Sequence, residues 1–173
     1  PVFEVTKLEL EALTQGAVHQ GVAMEIAAYD YADALELLDR VSATGRKPLF
    51  IALDQVTDPH NLGAVLRSAG AFGADGVIIP QRRSADVNAT VWKVSAGAAA
   101  RVPVAKETNL VRTLEAFKAR GCFVVGLDGN ASVSVDNLNL ADQPLVLVTG
   151  AEGKGLSRLV RETCDEIASI NIR

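Results

Sequence analysis

At 173 residues the chain fits one domain of ordinary size, long enough to bury about two-thirds of the surface that its unfolded form exposes. Hydrophobic residues make up 49% of it and aromatic residues only 5%, the composition of an α/β protein in which small side chains let helices lie close to a sheet, and this excludes a disordered or fibrous chain. The net charge of -4 argues by its sum against a nucleic-acid binder, no apolar run approaches the roughly 20 residues of a membrane helix, and Cys122, Cys164, His19 and His60 show neither a disulfide framework nor metal-ligand spacing.

The start at Pro1, with no Met, basic segment or apolar leader, predicts a cytoplasmic chain whose natural beginning is missing. Residues 6–13 read as the last turns of a helix and 22–29 as a short extended segment. Asp30 is the expected N-cap of a helix that stops before Gly45, so that residues 1–45 form a linker region. From Leu49 onward, apolar β-branched runs alternate with amphipathic stretches. Strands are expected at 49–54, 76–80, 102–105, 122–128, 144–150 and 167–172, and helices at 61–72, 87–99, 110–120 and 156–164. Thr108 is the expected cap of the helix at Leu110, and Gly121 its left-handed terminator. Strands apolar on both faces that alternate with helices predict a mainly parallel sheet flanked by helices.

Ligands of such sheets bind beyond the carboxyl ends of the strands, which directs attention to three loops. The first runs from Thr57 to Gly63 and leads into the helix that carries Arg67. Pro59 stiffens it, and Asn61 stands where a cap is expected, so capping alone accounts for Asn61 as well as a site role does. The second, Thr149 to Gly155, holds three glycines in six residues around Glu152; it fits neither the phosphate-loop pattern, because Leu156 and Ser157 follow Gly155, nor the dinucleotide fingerprint, because its glycines come in the wrong order. The third, Leu127 to Asn130, reads as a turn. A serine hydrolase elbow fails as well, since Leu66 and Lys93 occupy the positions where Ser68 and Ser95 would need glycine. Charge is uneven along the chain: residues 1–44 carry -6, residues 45–101 carry +3 and residues 102–173 carry -1, which makes the middle segment the one suited to phosphates.

The run Leu53-Asp54-Gln55-Val56-Thr57-Asp58-Pro59-His60-Asn61-Leu62-Gly63-Ala64-Val65-Leu66-Arg67-Ser68-Ala69 resembles motif 1 of the SpoU (TrmH-like) branch of the SPOUT RNA 2'-O-ribose methyltransferases. Leu147 to Leu156, with Gly150, Glu152, Gly153 and Gly155, resembles motif 2, and Trp92 to Ala98 adds support. The resemblance spans about residues 46 to 172. Gly16 to Val22 is similar to the linker of the subgroup that methylates a guanosine ribose of 23S ribosomal RNA, in which a small RNA-binding domain precedes the linker.

This resemblance implies an α/β-knot fold with a C-terminal trefoil knot, a homodimer, and S-adenosylmethionine as cofactor. It implies residues 1–45 as the end of an N-terminal RNA-binding domain with its linker, and 46–173 as the SPOUT methyltransferase domain without its third motif. Gly150 and Ile170 would contact the cofactor, with Leu127, Thr149, Gly153 and Ile172 around it, while Asn61, Arg67 and Glu152 would surround the reacting ribose. The family's proposal that the motif 1 arginine is the base is physically demanding, since a guanidinium stays protonated below a pKa of about 12. A cation that anchors phosphate and stabilises the oxygen losing its proton is the preferred role for Arg67. The chain departs from the pattern at Asn171, where proline is usual, and at Ala100, where the subgroup often has an acid. Guanosine of ribosomal RNA leads as the target. A transfer RNA ribose, selected in part by the loop Gln81-Arg82-Arg83-Ser84, and an RNA-binding assembly protein of the same fold remain open.

Overall fold

A computed structural model describes residues 2–140 and 142–171. In chain order the elements are α1 (Lys7–Leu13), α2 (Ala34–Ser42), β1 (Leu49–Asp54), α3 (Pro59–Phe72), β2 (Gly76–Pro80), α4 (Ala89–Val94), a 3-10 turn (Ala98–Ala100), β3 (Val104–Glu107), α5 (Leu110–Ala119), β4 (Phe123–Leu127), β5 (Val133–Ser134), a second 3-10 turn (Val135–Asn137), β6 (Leu145–Gly150), α6 (Arg158–Thr163) and β7 (Glu166–Ser169). The seven strands form one sheet in the order β3-β2-β1-β6-β4-β7-β5, and every neighbouring pair is parallel. This is the expected mainly parallel sheet.

Alternation along the strands sends side chains to two cores. Phe50, Ala52, Ile78, Val124, Val146 and Val148 pack with α2, α5 and α6 on one face, while Leu53, Val77, Ile79 and Val104 pack with α3, α4 and the first 3-10 turn on the other. Gly63 lets α3 lie against α4, since a Cβ there would come within 2.7 Å of the Val94 Cβ. The helix α2, expected within the linker region, buries Ala34, Leu37 and Leu38 in the first core. Just before it, Ala32 bridges to Ala105, the Tyr29 hydroxyl accepts the Val104 N–H at 3.1 Å, and the Tyr31 hydroxyl accepts the Val87 N–H at 2.9 Å.

Several local expectations need correction. Helix α2 is capped by Asp33 rather than Asp30, α3 by Asp58 rather than Asn61, and α5 by Asn109 rather than Thr108. Asp33 and Asn109 stand immediately before their helices, and Asp58 caps α3 because that helix starts at Pro59, two residues earlier than expected; each side chain accepts first-turn N–H groups. The single helix expected at 87–99 is broken, because Ala96 and Gly97 adopt positive φ angles of 50° and 82°. The strand expected at 102–105 begins two residues later, after Pro103, which has no N–H to give a ladder. Residues 22–29 form no strand, the two-residue β5 was not foreseen, and β7 ends at Ser169. Gly121 is left-handed at φ 86°, as expected.

Strand β7 lies between β4 and β5, which are consecutive in the chain. The link 128–132 therefore crosses the end of β7 to reach β5. Asp128, at the start of that link, accepts from the Asn130 N–H at 2.9 Å and pairs with Arg161 of α6. The Asn130 N–H, and then the Arg161 guanidinium, hold its carboxyl below the usual range.

Candidate functional site

The register Asp54↔Gly150 and Leu53↔Thr149 brings the carboxyl ends of β1 and β6 together. Beyond β6 the chain makes a tight coil: Ala151 bridges Gly155, the Gly155 N–H donates to the Ala151 carbonyl at 2.8 Å, and Gly153 and Gly155 have positive φ angles. Gly150 sits beneath this coil, where a Cβ would lie 2.1 Å from the Gly155 carbonyl carbon and oxygen and 2.5 Å from the Leu156 nitrogen. Only glycine allows that approach. The same junction is pinned from β1, where the buried Asp54 carboxylate accepts the Ser157 N–H at 2.6 Å.

From the other side, Asp58 caps α3 by accepting the His60 N–H at 2.8 Å, with Pro59 at the first helical position. The cap lies before Asn61, and the Asn61 amide makes no hydrogen bond among the described residues. A third wall comes from the loop after β2, tied to the first by the Ala85 N–H on the Val56 carbonyl at 2.9 Å. These walls enclose a cleft of about 410 Å³, lined among others by Gln55, Asp58, Asn61, Arg83, Glu152 and Lys154.

Asn61 and Glu152, both exposed, line the same cleft. Arg67 does not line it. A separation of six residues places Arg67 about 9 Å further along the helix axis and roughly 120° around it from Asn61. It is exposed and has no ion-pair partner among the described residues. The remaining candidates gather at the adjoining sheet edge. Leu127 pairs with Thr149, next to the Gly150 turn, and with Ala168, two residues before Ile170, which is 54% exposed. Gly153 lies in the coil above them, and Ile172 lies outside the described residues.

A second depression, of about 450 Å³, lies between α5 and α6, but its Lys118 is committed to Asp165 at 2.8 Å and to the Thr163 carbonyl at 2.9 Å. Burial pushes both thiols up to about 11, so Cys122 and Cys164 are protonated and unsuited to nucleophilic work. No group of His, Cys, Asp and Glu suited to a metal ion occurs among the described residues, and no helix there is long and apolar enough to cross a membrane.

Sequence reasoning did not single out Asp54, Gln55 or Lys154. For Asp54 a signal existed, since a carboxylate ending an apolar strand needs a partner. Replacing Asp54 by Ala strands the Ser157 N–H and is expected to cost about 1 to 3 kcal/mol, read as a lower urea midpoint at unchanged slope. Asp54→Asn, which keeps an acceptor, recovers most of that loss.

The class defined by this fold and site is an open parallel α/β protein with a glycine coil over a cleft at the strand carboxyl ends, next to an apolar edge. Residues 48–173 match the model of the SpoU rRNA methylase family, and residues 1–32 match the model for RNA 2'-O ribose methyltransferase substrate binding. The chain is 52% identical over 170 residues to an uncharacterized tRNA/rRNA methyltransferase of Mycobacterium avium, a match covering 98% of this chain and 54% of the relative. It therefore spans about half the length of the curated relatives it matches. Among solved structures it is similar to a TrmH-family putative RNA methyltransferase from Porphyromonas gingivalis, at 35% identity and a TM-score of 0.67 over 73% of this chain and 51% of that one. It is also similar to the SpoU methyltransferase AviRb from Streptomyces viridochromogenes in complex with AdoMet, at 27% identity and a TM-score of 0.70 over 98% of this chain and 71% of that one. The chain belongs to the SpoU rRNA methylase family.

Proposed function

We propose that the protein transfers a methyl group from S-adenosylmethionine to a ribose 2'-hydroxyl of RNA, with a guanosine of 23S ribosomal RNA as the target. The observation that carries this reading is the meeting of Asn61 and Glu152 in one cleft beside the Leu127, Thr149 and Gly150 edge. Such an edge suits the cofactor. Leu127 and Ile170 offer apolar contact to an adenine, and the strand end at Thr149 and Gly150 and the coil at Gly153 offer backbone groups with little side-chain obstruction. When bound, the cofactor supplies an electrophilic methyl group on a sulfonium. AviRb and an rRNA methyltransferase of Sinorhizobium meliloti, both similar to this chain, have solved structures with AdoMet bound.

The chain's own residues then orient the acceptor. The Asn61 amide and the Glu152 carboxylate bind ribose hydroxyls and fix the attacking oxygen, because alignment supplies much of the rate of an in-line displacement. Arg67 anchors an RNA phosphate and stabilises the oxygen as its proton leaves.

Because Arg67 lies outside the cleft lining of its own chain, the reading includes a homodimer in which it serves the partner's cleft. Its helix face supports this: Ala64, Ser68 and Ala71 are small, and Phe72 is 84% exposed. Mixing inactive Arg67→Ala and Glu152→Ala proteins should then restore about one quarter of the activity, since half of randomly formed dimers hold one intact composite site. No recovery after subunit exchange would place both residues in one chain's site.

The trefoil knot belongs to the same reading, supported by the passage of the 128–132 link across β7. Residues 1–45 are read as the end of an RNA-binding domain and its linker, supported by the substrate-binding match at 1–32, and the setting as cytoplasmic. A tRNA target is the second reading, since the names of the mycobacterial relatives give tRNA and rRNA together. Labelled methyl transfer to unmodified 23S rRNA and to tRNA, followed by nucleoside mass spectrometry, decides between them. The expected product is 2'-O-methylguanosine in 23S rRNA. Label in tRNA alone moves the target, and absence of both transfer and cofactor binding leaves an RNA-binding assembly protein.

A further inference from the structure

The cleft holds two cations to which the ribose chemistry assigns no role. Arg83 enters from the loop after β2 and Lys154 from the glycine coil after β6, on different walls of the same cleft. Neither forms an ion pair among the described residues. Of the two acids there, Asp58 is committed to capping α3 and Glu152 faces the ribose position. Two side-chain-bearing residues of this lining, Gln55 and Arg83, have left-handed backbones at φ 61° and 59°. Such conformations are rare outside glycine and persist where the surroundings hold them.

The hold on Arg83 is visible. Its loop is fixed by the Ala85 N–H on the Val56 carbonyl at 2.9 Å and by the Gln81 N–H on the Glu107 carbonyl at 2.7 Å. From behind, the Tyr31 hydroxyl accepts the Val87 N–H at 2.9 Å and donates to Asp86 at 3.3 Å, while Lys106 pairs with Asp86. A linker residue thus sets the loop that carries Arg83 into the cleft.

We propose that Arg83 and Lys154 form a phosphate clamp that grips the RNA backbone beside the modified nucleotide, with Tyr31 as the positioning residue for Arg83. This rests on the reading of the cleft as an RNA site. Arg83 supplies a planar fork that binds phosphate oxygens in pairs, and Lys154 a mobile point charge. Because phosphate contacts release counterions regardless of sequence, the clamp has a signature in salt dependence.

The test uses the full chain and a mixed-sequence single-stranded RNA oligonucleotide, with affinity measured by fluorescence anisotropy across about 50 to 200 mM salt. Arg83→Ala and Lys154→Ala are each expected to weaken binding severalfold and to lower the slope of log affinity against log salt by about 0.7, the share of one single-strand phosphate. Arg112→Ala, the same charge change on α5 across the sheet, should leave the slope unaltered. Tyr31→Phe should weaken binding in the parent protein but not in the Arg83→Ala background, because its effect runs through Arg83. Cofactor titration reports that each variant is folded. A slope unchanged in Arg83→Ala, or lowered equally by Arg112→Ala, overturns the clamp while leaving the methyltransferase reading intact. Failure of the parent protein to bind RNA overturns both.

Discussion

Replacing Gly150 by Ala is expected to abolish S-adenosylmethionine binding and to destabilise the fold. The added Cβ would meet backbone, 2.1 Å from the Gly155 carbonyl and 2.5 Å from the Leu156 nitrogen, and backbone cannot rotate away as a side-chain tip does. The coil 151–155 must therefore lift. Overpacking of this kind costs about 1 to 3 kcal/mol. For a domain of this size it lowers the melting temperature by roughly 2 to 4 °C per kcal/mol. The loss of function is larger, because displacing a ligand-positioning group by about 1 Å costs on the order of 100-fold. Calorimetric titration and thermal melting read the two effects separately. Heat of binding equal to that of the parent protein would show that the coil has no part in holding the cofactor. A Cβ at Gly153 meets no atom within 4 Å, so Gly153→Ala should strain only its own backbone, at φ 75°.

Arg67→Ala is expected to lower methyl transfer by roughly 100- to 1,000-fold, the scale for losing one group that stabilises developing charge on oxygen. Cofactor affinity should stay near that of the parent protein, because Arg67 lies on α3 and away from the Leu127, Thr149 and Gly150 edge. Arg67→Lys keeps the charge but not the planar fork and should recover only part of the rate. Single-turnover transfer at saturating cofactor gives the number. Undiminished transfer by Arg67→Ala would remove the residue from the mechanism. Stability is expected to change little, since the side chain is exposed and makes no ion pair among the described residues.

The elements most readable in the chain were those whose cause is local. The apolar runs at β1, β2, β4 and β6 give strands within a residue or two of expectation, and Gly121 ends α5 because its conformation requires a residue without a Cβ. Helix starts were less readable. Asp30, Asn61 and Thr108 are all competent caps, but so are Asp33, Asp58 and Asn109, and the choice depends on which residue the chain holds in an extended conformation. For the site that shift matters, because a cap at Asp58 leaves the Asn61 side chain uncommitted in the cleft. The break at Ala96 and Gly97 was unreadable for a similar reason: Ala96 prefers helix, yet it lies in a connection that packing turns back toward β3.

By itself the sequence determined the fold class, the two glycine- and proline-marked loops, and the residue types available for the proposed methyl transfer, because periodicity, turn chemistry and motif order are properties of short stretches. Tertiary structure alone decided which of those residues meet. Pairing of β1 with β6 sets Asp54 against Gly150 and so brings Glu152 into the cleft with Asn61, whereas helical geometry keeps Arg67 outside that cleft and the loop after β2 brings Arg83 into it. Such meetings depend on strand order in the sheet, and strand order is set by burying both faces of the whole sheet at once, which no local pattern encodes.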